Sequence, residues 1–318
     1  MRFARLPLLA QACGLVLVAA VASQTASAPA ANARADRTAA PAPVTATVRV
    51  TTYNTAAWVT TANALTDIKK LAARGPDIIT LQEMGSRARR AAVSAALVDC
   101  SMCPYESYMP ADAPMNSTPI LFKWSKFRLE GTGTRQVSAA TYVGRNGAGP
   151  STLRAKYINY VQLRERATGQ EVYVLNNHTI PSVQGRNGGA DNTYPARLAL
   201  YKQHMDGLKA LITELKATGA AVLVTGDLNV NYRRDRIVKD PLFPYVNLGQ
   251  VDMHASYELL GEPARGTDVL ANGNDTRLID YVSVLRHPGV TAVAQNVLLG
   301  YHSDHRPLQV DLTLAPAS

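Results

Sequence analysis

Cysteine is scarce, with three in 318 residues, which is too few for a disulfide scaffold. Phenylalanine and tryptophan number only four and two. None of them forms a clear aromatic tip of the kind that seats a protein on a membrane surface. Beyond the N-terminus there is no long apolar run, and the one there is short and broken, which excludes a multi-pass membrane protein. Acid is in deficit: 24 Asp and Glu against 33 Lys and Arg leave a net charge of +9. That balance suits anionic partners without naming one. No internal repeat is present. The rest of the composition, 47% apolar and 18% charged, is that of a globular protein and excludes wholesale disorder, collagen and coiled coil.

Residues 1–28 are expected to form an export signal. Arg2 and Arg5 make a charged start, and an apolar stretch follows over 6–22. Small-residue cleavage sites lie at Ala20-Val21-Ala22 and Ala26-Ser27-Ala28, with Pro29 disfavouring the second. The two arginines are not adjacent, so a twin-arginine route is not indicated. Gln11 and Cys13 interrupt the run, which argues against an uncleaved anchor. Ala10-Gln11-Ala12-Cys13 has the outline of a lipoprotein site, but Gln11 and the short preceding run count against it. Residues 29–46 are rich in Ala, Pro and Thr, lack the apolar surface to fold, and read as a flexible linker. Residues 47–318 suffice for one large α/β domain. The expected product is secreted, monomeric and without stable membrane insertion.

In an oxidising compartment, Cys100-Ser101-Met102-Cys103 most simply closes a small local disulfide. Half a zinc site is the competing reading, but a zinc ribbon needs a second pair. A redox-active pair would need a thioredoxin-like context.

Hydrophobic periodicity predicts strands over 47–53, 77–81, 119–124, 156–164, 171–176, 220–225, 277–285 and 307–314. Ala167-Thr168-Gly169 predicts a hairpin. Helical spacing predicts helices over 64–74, from a Ser86 cap to about 98, and over 195–218. Too few helices separate the strands for a purely parallel doubly wound sheet. Two packed mixed sheets with helices outside fit better.

Polar and acidic residues recur at the ends of these strands, where side chains can converge on one mouth. Each piece alone reads as a turn or a solvated loop. In order they run Thr52-Tyr53-Asn54, Leu81-Gln82-Glu83, Asn176-Asn177-His178, Gly226-Asp227-Leu228-Asn229, Leu278-Ile279-Asp280-Tyr281 and Ser303-Asp304-His305-Arg306-Pro307. This ordered set resembles the endonuclease/exonuclease/phosphatase superfamily, which includes proteins like DNase I and bacterial sphingomyelinase. The resemblance spans about 48–312. It implies a DNase I-like four-layered α/β sandwich, two packed mixed β-sheets flanked by helices, with the site at one end of the sheets.

The resemblance also implies roles. A phosphodiester repels a nucleophile, so hydrolysis needs a cation on the phosphoryl oxygens, an aligned water and a proton for the leaving oxygen. Hard oxygen ligands suit Mg²⁺, with Mn²⁺ or Ca²⁺ as alternatives. Glu83 would be the principal metal carboxylate, with Asn54 in the metal's shell and Asp304 a second carboxylate nearby. Asp227 would orient or deprotonate water, and Asn229 would donate to the phosphate. His305, fixed by Asp280, would act in acid/base or phosphate-stabilising work. His178 would stabilise phosphoryl charge or protonate the leaving group. One departure stands out. DNase I-like enzymes often pair the first His with a Glu on a preceding strand, and strand 156–163 holds no acid. Asn159 or a tyrosine hydroxyl is the expected replacement partner of His178.

Arg87, Arg89 and Arg90 follow Glu83, and Arg233, Arg234 and Arg236 follow Asn229. Both clusters are expected at the rim, contacting an extended polyanion through bidentate donation. Tyr157 and Tyr160 suit base stacking or, more simply, sheet packing. The expected activity is that of a secreted nuclease on DNA, with RNA as a second candidate substrate. The alternatives are a sphingomyelinase-type lipid phosphodiesterase, a phosphatase of small phosphoesters, or a non-catalytic scaffold on this fold.

Overall fold

A computed structural model describes residues 44–142 and 152–317. The expected signal at 1–28 and most of the expected linker lie outside the described residues. The first strand already begins inside the expected linker range, at Ala46.

The chain opens with β1 (Ala46–Asn54), α1 (Thr61–Ala72), β2 (Ile78–Gln82) and α2 (Arg87–Leu97). Next come β3 (Tyr105–Tyr108), β4 (Ile120–Lys123), β5 (Phe127–Ser138) and the short pair β6 (Thr141–Tyr142) and β7 (Thr152–Leu153). They are followed by β8 (Lys156–Glu165), β9 (Glu171–His178), α3 (Pro195–Lys216) and β10 (Ala221–Asp227). Three short helices, α4 (Tyr232–Val238), α5 (Pro244–Gly249) and α6 (Ser256–Leu260), surround β11 (Met253–Ala255). The chain closes with β12 (Asp280–Leu285), β13 (Val290–Val297) and β14 (Leu308–Leu314).

Two six-stranded mixed sheets form, ordered β13-β14-β1-β2-β4-β3 and β11-β12-β10-β9-β8-β5. Strand alternation decides what each face buries. Ile78, Ile120 and Val50 of the first sheet join Val161, Val174 and Val224 of the second in one core. Their neighbours Ile79, Leu121 and Tyr53 point the other way, onto Ile68 of α1 and Val93 of α2. On the far side, Tyr201, Met205 and Leu208 of α3 cover the second sheet. The result is the four-layered sandwich of two mixed sheets flanked by helices. Among the described residues, no helix is long and apolar enough to cross a membrane.

Some boundaries differ from the sequence expectation for physical reasons. β5 has no apolar period because it is an edge strand interrupted by bulges at Leu129/Gly131 and Gln136/Ser138. The ladder expected over 277–285 starts only at Asp280, because Arg277 instead bridges Asp268. Trp124 lies past β4 and is half exposed, its indole donating to the Cys103 carbonyl at 3.0 Å. Cys100 and Cys103 are joined by a disulfide, with Cα atoms 5.0 Å apart. Ser86 does cap α2, its side chain accepting from the Arg89 N–H at 3.3 Å.

Candidate active site

Register brings the site together. In the second sheet, Asp227 of β10 lies beside His178 of β9 on one side and beside Asp280 of β12 on the other. In the first sheet, Asn54 ends β1 beside Gln82, the last residue of β2. Glu83 then turns away in a left-handed conformation, φ 59°. Non-glycine residues hold this conformation only where the surroundings enforce it, and such residues cluster at functional sites. Asn229, two residues past β10, does the same at φ 54°.

The two sheets meet through side chains. Asn54 Nδ2 donates to Asp227 Oδ2 at 3.0 Å and lies 3.4 Å from Glu83 Oε1. Ser303 Oγ donates to the Asn54 carbonyl at 2.9 Å and accepts the His305 N–H at 3.0 Å, which ties the approach to β14 onto the end of β1. His305 Nδ1 faces both Asp280 oxygens, at 2.9 and 3.1 Å. Its Nε2 lies 3.8 Å from Asp227 Oδ2, and His178 Nε2 lies 3.6 Å from the same oxygen and 3.8 Å from Glu83 Oε1. One buried carboxylate oxygen thus faces an amide and two imidazoles. Asn229 donates its N–H to Asp227 Oδ1 at 2.8 Å, while its own Nδ2 is buried with no hydrogen-bond acceptor.

Burial and charge separate these groups by protonation. Burial raises Asp227 to about 7, with His305 opposing, the Asp280 charge adding, and hydrogen bonds from Asn229 and Asn54 opposing. For His305 burial works against the charged form, but Asp280, Asp227 and Asp268 together outweigh it and hold the imidazolium well above its ordinary range. His178 is pushed well below its ordinary range by burial, then by Lys156, His305 and His204. At neutral pH, His305 therefore carries the positive charge and His178 is a neutral imidazole. His178 is poised to donate or accept a hydrogen bond and is not a charged proton donor.

The family sequence model for the endonuclease/exonuclease/phosphatase family matches residues 52–305. The chain belongs to the endonuclease/exonuclease/phosphatase family. No curated protein matches the sequence. Among solved structures, a family protein from Bacteroides thetaiotaomicron aligns with TM-score 0.62 at 16% identity, over 86% of this chain and 96% of that one. D. rerio TDP2 complexed with a single-strand DNA product aligns with TM-score 0.58 at 15% identity, over 84% and 98%. A mannosyl-6-phosphatase from B. thetaiotaomicron aligns with TM-score 0.57 at 16% identity, over 83% and 99%. At these identities the likeness establishes the fold.

Members of the family are hydrolases of phosphoester bonds and depend on a divalent metal. The residues here fit a hard cation. Glu83 faces the cleft with Oε1 met by the Asn54 amide at 3.4 Å and by His178 Nε2 at 3.8 Å, while its other oxygen accepts the Ala57 N–H. Asp304 is half-buried, one residue past the serine bonded to Asn54, and its Oδ1 is met by Ser303 Oγ at 3.3 Å. Asp227, Asp280 and His305 also present ligand atoms within 4.8 Å of one another. In that second group Asp280 is already engaged by His305, so the Glu83 side is the freer of the two.

Several expected contacts are corrected. Asn159 does not reach His178: its Nδ2 goes to Met115 O, Thr118 O and Thr118 Oγ1, at 2.7, 3.0 and 2.9 Å. The Tyr157 hydroxyl goes to Gln136 Oε1 at 3.1 Å, and Tyr160 packs edge-on to Tyr173. Arg89 is no rim residue. It is buried and donates to Thr55 Oγ1 and to the carbonyls of Ala56, Ala57, Val59 and Glu83, clamping the loop after β1 to the Glu83 turn. Arg90 caps the carbonyls of Met84 and Gly85, both at 2.8 Å.

The second arginine cluster divides. Arg233 and Arg236 both pair with Glu262. Arg234 donates to the Arg186 carbonyl at 2.9 Å and, with Arg233 and exposed Arg186, lines a cleft that reaches Asn229 and His305. Sequence reasoning missed Arg186 and also Lys156. Lys156 shares a second cleft with Glu83 and His178, and burial lowers its ammonium to about 8 against the pull of Asp227 and Glu83.

Proposed function

We propose that the chain is a secreted phosphodiesterase that hydrolyses nucleic acid, DNA foremost, by attack of water on phosphorus. The observation that carries this reading is the pair of open clefts on either side of Asp227. One, of about 1070 Å³, reaches Asn229 and His305 and carries Arg186, Arg233 and Arg234. The other, of about 670 Å³, reaches Glu83 and His178 and carries Arg154 and Lys156. A groove with cations on both sides of the reacting centre suits a chain of phosphates that continues in both directions.

In this reading Asp227 takes the proton of the attacking water, since its raised pKa matches a base working near neutrality. The His305 imidazolium, held by Asp280, faces the charge that develops on phosphorus. The unpaired Asn229 Nδ2 donates to a phosphoryl oxygen. Asn54, Glu83 and Asp304 would hold the metal, for which Mg²⁺ is the proposed ion. When bound, the ion would supply charge neutralisation at the phosphoryl oxygens. The Cys100–Cys103 bridge supports export to an oxidising compartment.

The deciding assay presents purified protein with plasmid DNA, RNA, sphingomyelin and a chromogenic phosphodiester, each with Mg²⁺ and with chelator. Metal-dependent nicking of the plasmid is expected. Turnover of sphingomyelin or a small ester with DNA left intact would overturn the nuclease reading. Neutralising Arg186 and Arg234 together is expected to weaken DNA binding and flatten its salt dependence, and to affect a small diester far less. Export is tested by N-terminal sequencing of protein recovered from the culture medium, with a new terminus expected near residues 23–29.

A further inference from the structure

β8 runs antiparallel to β9, with Asn159 opposite Asn176 as the terminal pair, so the start of β8 and the end of β9 lie at the same end of the sheet. β8 starts at Lys156, and β9 ends at His178. Both line one cleft with Glu83. The Lys156 backbone is anchored there, its N–H donating to Ser138 Oγ at 3.3 Å. Its ammonium has no hydrogen-bond acceptor and no ion-pair partner within reach among the described residues. Lysines at a strand start ordinarily extend into water, whereas this one is half-buried at the centre of the site.

An ammonium held in a cleft without an acceptor is a ready partner for an anion. A second donor in the site also lacks an acceptor. Asn229 Nδ2 is buried and unpaired on the far side of Asp227. Both donors lack acceptors, and the residues that carry them line the two clefts that reach the site.

We propose that Lys156 is a catalytic residue whose ammonium contacts a non-bridging oxygen of the substrate phosphoryl group on the His178 side of the site. Such charge-assisted contacts are among the strongest available for phosphate. The inference requires only phosphoester hydrolysis, so it stands or falls separately from the choice of DNA as substrate.

The experiment compares the wild-type protein with Lys156→Met and Lys156→Arg in Mg²⁺. It measures hydrolysis of bis(4-nitrophenyl) phosphate and inhibition by inorganic phosphate. Lys156→Met is expected to lose about a hundredfold in kcat/KM, the scale for removing one donor to a developing oxyanion. Inorganic phosphate is expected to inhibit it about tenfold less strongly. Lys156→Arg, which keeps the charge, should recover part of both. A kcat/KM within about threefold of wild type would overturn the proposal. So would a large loss of rate with phosphate inhibition unchanged, since Lys156 would then act only through its neighbours. A thermal melt checks folding. If Lys156→Met does not fold, Lys156→Gln, which is shorter and neutral but keeps a polar end, replaces it, and the same two losses are required of it.

Discussion

Gly226 passes so close to Asn177 that a Cβ built on it would lie 2.0 Å from the Asn177 carbonyl oxygen. The two residues are register partners in β10 and β9, one position before Asp227 and His178. Gly226 also holds φ 121°, a conformation closed to L side chains. The close approach allows the base and the imidazole to sit side by side. Gly226→Ala is therefore expected to destabilise the fold by about 3 kcal/mol or more, combining backbone strain with a clash against main chain. Urea denaturation measures it. A variant within about 0.5 kcal/mol of wild type would show that the two strands are free to part.

Arg89 offers a second test of how the site is held. Its guanidinium meets one hydroxyl and four carbonyls along the loop 55–59 and at Glu83. A lysine ammonium has three donors and no planar fork, so Arg89→Lys leaves buried carbonyls unpaired. The expected result is a lower melting temperature and about a tenfold rise in the Mg²⁺ concentration for half-maximal activity, because the Glu83 turn is no longer fixed. An unchanged Mg²⁺ requirement would confine Arg89 to stability alone.

Much of the site was legible because apolar strands that end in Asn, Glu, Asp or His stand out against their own periodicity. Asn54, Glu83, His178 and Asp227 stand at such strand ends, and it is the resemblance of the ordered set to a known family that marks them as candidates. Arg89 was misread because an arginine early in a helix ordinarily lies in solvent, and its burial is imposed by carbonyls of a loop some thirty residues away. Lys156 carries no signal of its own, since a lysine opening a strand looks like any solvated one. β5 was hidden because an edge strand with two bulges and an exposed face shows no alternation. What sequence periodicity reports is burial on a regular element. It is silent on charges brought together across sheets.

Glu83 tests the metal chemistry directly. Glu83→Gln keeps the shape and the contact with the Ala57 N–H but removes the charge that would hold a cation. Activity is expected to fall about a hundredfold, with excess Mg²⁺ restoring only part of it. Steady-state rates across a Mg²⁺ titration check this, alongside wild type in chelator. Full activity of either sample would end the metal-dependent account of the site.

Asp280 connects both titrations that frame the rate. As the base, Asp227 must be ionised, and burial raises it to about 7, with the Asp280 charge adding to that rise. The rate should climb as pH passes upward through the Asp227 range. His305 acts as the imidazolium, held well above its ordinary range because Asp280, Asp227 and Asp268 outweigh burial. The rate should therefore fall again at higher pH, where that proton leaves. Asp280→Asn removes a negative charge that raises both groups, so both limbs of the profile should move to lower pH. A cation at Glu83 would lower the acid limb in both proteins and leave the sign of the difference intact. The peak rate should also drop about a hundredfold, because the hydrogen bonds orienting His305 Nδ1 are altered. The measurement is kcat/KM against pH for both proteins at saturating Mg²⁺, and the limbs belong to the coupled group as a whole. Limbs that stay in place, or move apart, would show that Asp280 does not govern the protonation of Asp227 and His305.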